Sequence, residues 1–462
     1  MVRRFITGDD VLAASRAGKN QIMLSANEVV TEVAAELALS RGLVFVREES
    51  LTANNPAAPQ AAAASSGVAS HIQKLPYQGL ISEREVLSWR EEFPILSKVI
   101  HVGNCSQSAQ SKRVRGAINR YLDDWLEVGM NWDGWVEEVN LAKLEFAKLI
   151  NASPEEIAVS ASLSDLVSSV ATALDYRGAR SKVVVSDAEF PTVNYIWLAQ
   201  QRHGAKVDFV AVGPNYEIDI HDYQRTIDET TLITSLTHVY YLNGFKQDVA
   251  KLAELAHSRG SLFMLDSYQC LGTEPVDVKK MQIDILVSGV LKYLFGLPGI
   301  AFMYVNKDLA LELAPAVTGW FGQKNPFLFQ SRYLDWANDT RRFDTGTPPV
   351  LTAYAARAGL EIANQVGVHR IKDRIDMLSA HALEAGAAQG LRIISPLDIA
   401  RKGATTAVWT SHKKDAHEVE LLLKERNIIV SARGDVVRVA PHFYNLPQEI
   451  DTVMAELANV LK

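Results

Sequence analysis

From residue 75 onward, short runs rich in β-branched residues alternate with amphipathic helical stretches, and this alternation limits the possible folds more than any other feature of the chain. A strand that must be followed by a helix before the next strand favours a mainly parallel sheet covered on both faces. Strands are expected at 156–160, 182–186, 206–212, 231–237, 261–266, 284–288 and 300–305. Between them, 247–258 places Val249, Leu252, Leu255 and Ala256 at helical spacing. The fold class is therefore α/β, with a seven-stranded, mainly parallel large domain over 75–334. Beyond 335 the pattern becomes a smaller αβ domain, 335–462, with strands at 391–394, 406–410 and 436–440. A helix over 447–461 closes it, with Asn445 as its expected cap, Pro447 in its first turn and Glu449 at the positive end of its dipole. No internal repeat is evident.

With 462 residues, the chain exceeds what one compact domain usually holds. Residues 1–47 read as a small accessory unit: a helix at 9–17, a strand at 21–24, a helix at 29–41 and a strand at 43–46. Residues 48–74 read as a linker, because the stretch around Asn54-Asn55-Pro56-Ala57-Ala58 lacks large apolar side chains to offset the entropy of ordering. The net charge of −7 argues against a nucleic-acid partner, which would need clustered positive charge. The chain shows neither a signal peptide nor an apolar run of membrane length. Cys105 and Cys270 are the only cysteines, too few for a disulfide framework or a zinc site. A cytoplasmic protein with a small-molecule ligand and no bound metal is expected. The sequons at Asn104, Asn151 and Asn338 are then chance matches.

The chemistry concentrates in two strand ends. Ser261-Leu262-Phe263-Met264-Leu265-Asp266 ends a buried apolar run on a carboxylate, which is costly unless a cation meets it. Lys292 follows 26 residues later, in Ser288-Gly289-Val290-Leu291-Lys292. A protonated pyridine nitrogen is a suitable partner for Asp266, and a desolvated lysine amine beside it has the lowered pKa that Schiff-base and proton-transfer chemistry require.

In these segments the chain resembles fold-type I pyridoxal-phosphate enzymes of the class V aminotransferase family, which includes cysteine desulfurases and kynureninases. The likeness runs from about residue 80 to 460. It implies pyridoxal 5'-phosphate as cofactor, Lys292 as Schiff-base lysine, Asp266 on the ring nitrogen, Gln269 on the phenol oxygen and Ser288 in the lysine segment. Ser160-Ala161-Ser162-Leu163-Ser164-Asp165 is similar to the family's phosphate cup, so Leu163 and Ser164 are expected at the phosphate. In Glu189-Phe190-Pro191-Thr192, Phe190 is expected to stack on the ring. Trp320, in Gly319-Trp320-Phe321-Gly322, resembles a kynureninase phosphate donor. Thr347, in Asp344-Thr345-Gly346-Thr347-Pro348-Pro349, resembles a turn that reaches the cofactor of the opposite subunit, which implies a homodimer. Arg438, in Val437-Arg438-Val439-Ala440-Pro441-His442, resembles the arginine that grips the substrate carboxylate.

Two departures bear on the reaction. Desulfurases of the family carry a cysteine on a late mobile loop, whereas none follows Cys270 here, which disfavours a cysteine relay. Leu291 stands where desulfurases have histidine and kynureninases tyrosine. The resemblance thus implies an enzyme acting on an amino acid, by kynureninase-like or C–S/C–X cleavage, by transamination, or by racemisation or epimerisation. His238 is expected to be structural. Phe5-Ile6-Thr7, Ile22-Met23-Leu24 and Val30-Thr31-Glu32-Val33-Ala34 resemble the N-terminal segment of microcompartment-associated proteins. That resemblance implies a shell partner or localisation within a microcompartment, and, at the limit, a scaffolding rather than catalytic role.

Overall fold

The computed structural model describes residues 4–6, 10, 11, 14, 19, 21–25, 28–30, 34, 38, 43–47, 72–410 and 414–462. The chain divides into two compact units, Met1–Ala63 and Ala64–Lys462. In the first, strands Arg4–Ile6 and Glu28–Val30 pair in parallel, as do Gln21–Leu24 and Val44–Arg47. The helix expected at 29–41 therefore starts later than expected: its first residues are strand, as the β-branched Val29-Val30 pair prefers, and Ala34 and Ala38 are helical. In the helix expected at 9–17, Asp10, Val11 and Ala14 are helical. Of the linker expected at 48–74, residues 48–71 lie outside the described residues, while Gln73 bridges Asp398 and Lys74 pairs with Glu384.

The second unit is built on seven strands: β1 (Ile157–Ser160), β2 (Lys182–Ser186), β3 (Lys206–Val210), β4 (Thr231–Thr237), β5 (Leu262–Asp266), β6 (Ile285–Gly289) and β7 (Ala301–Val305). Their order is β1-β7-β6-β5-β4-β2-β3. Only β7 runs against its neighbours. Because successive side chains leave a strand on opposite faces, Val184, Leu236, Phe263, Leu265, Leu286 and Phe302 enter one core cluster. Val183, Val185, Ile233, Met264, Ile285, Val287 and Met303 enter the other. Except at the edge strand β3, which is mostly exposed, both faces are buried, so the strands read as largely apolar runs, as expected of a parallel sheet between helical layers. Helix α1 (Leu163–Ala173) and helix α2 (Pro191–Ala199) cover the second face through Leu166, Val167, Val170, Val193 and Trp197.

Toward the C-terminus, β8 (Thr406–Trp409), β9 (Ser431–Arg433) and β10 (Val436–Val439) form an antiparallel sheet in the order β8-β10-β9. Val408, Val437 and Val439 pack there with Val453, Met454 and Leu457 of the closing helix, Pro447–Leu461. Two expectations fail in this region. Segment 391–394 is not a strand and makes only a single bridge, Ile393 to Val408. The closing helix is capped at Leu446 rather than Asn445, since the Glu449 carboxylate accepts the Leu446 N–H at 2.9 Å and the Asn445 amide at 3.0 Å. One link was not anticipated: Ile100–His101 pairs in parallel with Ile428–Ile429, binding an early segment to this late part of the chain. Among the described residues, no helix is long and apolar enough to cross a membrane.

Candidate active site

A cavity of about 440 Å³ opens at the C-terminal ends of β4, β5 and β6, the edge at which open α/β sheets bind ligands. Asp266, the last residue of β5, is buried there, and its Oδ1 accepts the Tyr268 N–H at 2.9 Å. Burial raises its pKa, an effect opposed by that hydrogen bond and by the charge of Lys292. Lys292 follows β6 on a loop. Its Nζ lies 4.2 Å from the centre of the Tyr268 ring and 5.7 Å from that of Phe190. Gly289 makes this possible, because a Cβ there would come within 2.1 Å of the Tyr268 phenol end.

Burial brings the Lys292 pKa down to about 8; Asp266 and Cys105 oppose that shift, and Arg438 and Arg433 add to it. At pH 7 about a tenth of such an amine is neutral, against roughly three in ten thousand at the ordinary lysine pKa. Because only the neutral amine attacks a carbonyl, the rate of cofactor loading onto the cofactor-free protein is expected to rise with pH and level off above about 8. Stopped-flow absorbance checks this, and a profile still climbing steeply at pH 9.5 would contradict it.

The opposite end of the cavity is the first turn of α1. Ser162 caps this helix, its Oγ accepting the Asp165 N–H at 3.1 Å, and Leu163 and Ser164 present the first-turn backbone where a helix attracts an anion. The Ser164 hydroxyl meets that of Thr192 at 3.1 Å. Phe190 lies along the cavity with its ring 45% exposed, and meets Tyr241 edge-on at 5.4 Å. Gln269 donates its amide to the Cys105 carbonyl at 3.1 Å. Arg438, on β10 and only 1% exposed, donates to the Tyr241 carbonyl at 2.9 Å, the Ser106 hydroxyl at 3.0 Å and the Ser431 hydroxyl at 2.6 Å.

Of the residues expected at the site, the structure thus brings Leu163, Ser164, Phe190, Asp266, Gln269, Lys292 and Arg438 to one cavity. Ser288, Trp320 and Thr347 are not in its wall. Ser288 is fully buried in β6, its hydroxyl turned onto the Gly289 carbonyl at 2.9 Å. Trp320 lines a separate cavity formed by residues between Thr318 and Asp335, where its ring stacks with Phe329 at 5.9 Å. Thr347 is exposed. His238 also lies outside the site, near Ser267, and burial lowers its pKa to about 3.

Several residues in or behind the wall were not assigned from sequence. Cys105 and Ser106 arrive because their segment follows the strand Ile100–His101. It is Cys105 that faces the cavity, whereas Cys270 is buried outside its wall near Glu274 and Lys246. Thr192, Tyr241, Tyr268 and Arg433 also line the wall. Behind Asp266, the buried carboxyl of Glu189 accepts the Thr237 N–H through one oxygen, while its other oxygen has no hydrogen-bond partner. Burial, and then the nearby charge of Asp266, push the Glu189 pKa well above the usual carboxylate range. Its place directly before Phe190 was the only signal that could have marked it.

Pyridoxal phosphate fits these donors. A buried carboxylate suits its ring nitrogen, a helix N-terminus with two hydroxyls suits its phosphate, a half-exposed aromatic ring lies along the cavity, and a lysine of depressed pKa suits its aldehyde. Among the described residues, no cluster of His, Cys, Asp and Glu could hold a metal ion. The class-V aminotransferase family model matches residues 130–453. A Bacillus subtilis protein named uncharacterized aminotransferase YcbU is 37% identical over 80% of this chain and 96% of its own length. The kynureninase of Bacillus anthracis is 28% identical over 82% of this chain and 92% of its own. A cysteine desulfurase structure from Thermococcus onnurineus superposes with a TM-score of 0.74 at 20% identity, covering 83% of this chain and 99% of that one, and shows the same fold. The chain belongs to the class-V aminotransferase family, enzymes whose cofactor is pyridoxal phosphate.

Proposed function

We propose that the enzyme acts on an amino acid through Lys292 and cleaves a bond at the β or γ position of its side chain. The observation that carries this reading is the convergence of Lys292, Asp266, the α1 N-terminus and Arg438 on one cavity. When bound, pyridoxal phosphate supplies an electron sink for the pair left at the substrate's α carbon. Asp266 keeps the ring nitrogen charged, Leu163 and Ser164 hold the phosphate, and Phe190 and Tyr268 wall the ring and exclude water. Arg438, held in place by Ser106, Ser431 and the Tyr241 carbonyl, grips the α-carboxylate and so presents the α proton to the Lys292 amine. Cleavage is favoured over other outcomes by the kynureninases, which the chain matches over nearly their whole length.

A second reading, transfer of the amino group to a keto acid, is favoured by the likeness to a protein named an aminotransferase. Product analysis with and without an added keto acid separates the two. Fragments formed without a keto acid support cleavage, whereas turnover that depends strictly on the keto acid sinks it. Arg438→Ala is expected to weaken amino-acid binding by about 1.5–3 kcal/mol, the worth of a charge-assisted hydrogen bond, while sparing the visible band of the bound cofactor. Titration followed by absorbance measures both.

We also infer a homodimer. Trp125, Leu126, Met130, Phe329 and Tyr333 are large apolar or aromatic side chains more than half exposed, a cost that a second copy would relieve. In a dimer, Trp320 and Thr347 could serve the neighbouring subunit's cofactor, which agrees with their absence from this wall. Two buried free cysteines and the expected soluble surface suit the cytoplasm. Residues 1–47 would then be an accessory unit, able to dock the enzyme into a larger assembly such as a microcompartment.

A further inference from the structure

The cavity has two arginines, and they are not equivalent. Strands β9 and β10 pair in the register Ser431 to Arg438, Ala432 to Val437 and Arg433 to Val436. Side chains two apart on a strand share a face, so Arg433 stands on the face of Ser431, whose cross-strand neighbour is Arg438. Both arginines line the cavity that holds Lys292. Arg438 is buried, and most of its donors are spent on Tyr241, Ser106 and Ser431. Arg433 is exposed at the hairpin end and, among the described residues, takes part in no ion pair or side-chain hydrogen bond.

The only carboxylate in the cavity wall is Asp266, which is committed to the cofactor. Nothing anionic in the wall therefore neutralises Arg433. With the α-carboxylate assigned to Arg438 through its remaining Nη1 N–H, the second arginine is left facing whatever the substrate carries beyond its α carbon. We propose that Arg433 forms a subsite for a side-chain carboxylate, and that the substrates are acidic amino acids. This rests on the amino-acid reading above and narrows it. A guanidinium matches a carboxylate through two parallel hydrogen bonds, and an amide of the same shape cannot reproduce that charge-assisted pair. Discrimination thus comes from charge rather than size. The influence of Arg433 on the Lys292 amine is in keeping with a position near the reacting end of the site.

The test is an absorbance titration of the holoenzyme with L-aspartate and L-glutamate, their isosteres L-asparagine and L-glutamine, and L-cysteate. At least one acid is expected to bind about ten-fold or more tightly than its own amide. In Arg433→Gln this ratio should collapse to within about two-fold of one, and Arg433→Lys should restore part of it. Arg438→Ala should weaken acid and amide alike, which separates the two ends of the substrate. A ratio near one in the unmodified enzyme would overturn the subsite, as would equal weakening of acid and amide by Arg433→Gln. Cysteate binding more tightly than either carboxylate would overturn the choice of a carboxylate. If none of the five shifts the spectrum while a neutral amino acid outside the set does, the subsite fails and the amino-acid reading stands. If no amino acid shifts it, both fail.

Discussion

Replacing Lys292 with alanine is expected to lower turnover by at least about 10⁴-fold and to remove the visible band of the bound cofactor, because one amine serves both as covalent anchor and as proton carrier. No neighbour can take over either task. The other basic side chains in the cavity wall, Arg433 and Arg438, are guanidinium groups, which offer donors only and no amine to form a Schiff base. Folding should survive, since the substitution removes a cation from a place where burial already disfavours it. Far-ultraviolet circular dichroism and thermal unfolding report that control. Borohydride reduction of the unmodified holoenzyme, followed by peptide mapping, locates the covalent link directly. Label on any other lysine, or turnover within ten-fold of the unmodified enzyme in the alanine variant, would sink the assignment.

Asp266→Asn is expected to lower turnover by roughly 10²–10³-fold, the usual cost of removing one preorganised electrostatic partner. The nearby Glu189 cannot substitute, because it lies behind Asp266 rather than in the cavity wall, with one oxygen on the Thr237 N–H. Stability should move the other way. Burial raises the Asp266 pKa, so its ionised form is disfavoured in the folded protein. The resulting penalty applies above the raised pKa and disappears as pH falls through it. At neutral pH the asparagine variant of the cofactor-free protein should therefore melt no lower than the unmodified protein, and with cofactor present that advantage should vanish. Calorimetry with and without pyridoxal phosphate checks both halves. A large loss of stability in the cofactor-free asparagine variant would mean that Asp266 serves the fold rather than the cofactor.

Asp266 and Lys292 were legible in the sequence because each ends or closely follows a buried strand, where a charged side chain among apolar neighbours is conspicuous. The inner strands were legible for the same reason: with both faces covered, their runs are largely apolar, whereas the edge strand β3 is mostly exposed. Segment 391–394 looked similar, but it meets β8 only through the Ile393–Val408 bridge and the hydrogen bonds on either side of it, too short a pairing to make a strand. Cys105 and Ser106 carried no local signal, since they reach the cavity only because Ile100–His101 pairs with Ile428–Ile429, more than three hundred positions away. Arg433 looked like any exposed arginine at a hairpin end. Only the register of β9 against β10, which puts it on the face of Ser431, gives it a direction.

By itself, the order of residues determined the alternating architecture, the family likeness and the lysine–aspartate pair, because periodicity and strand-end charge are properties of short segments. Tertiary structure alone decided that Ser106, Tyr241 and Ser431 would hold Arg438, that Glu189 would lie behind Asp266 and that Trp320 would face a different cavity. Those outcomes depend on which distant segments share a sheet edge. Side-chain chemistry leaves that open until the strands have paired.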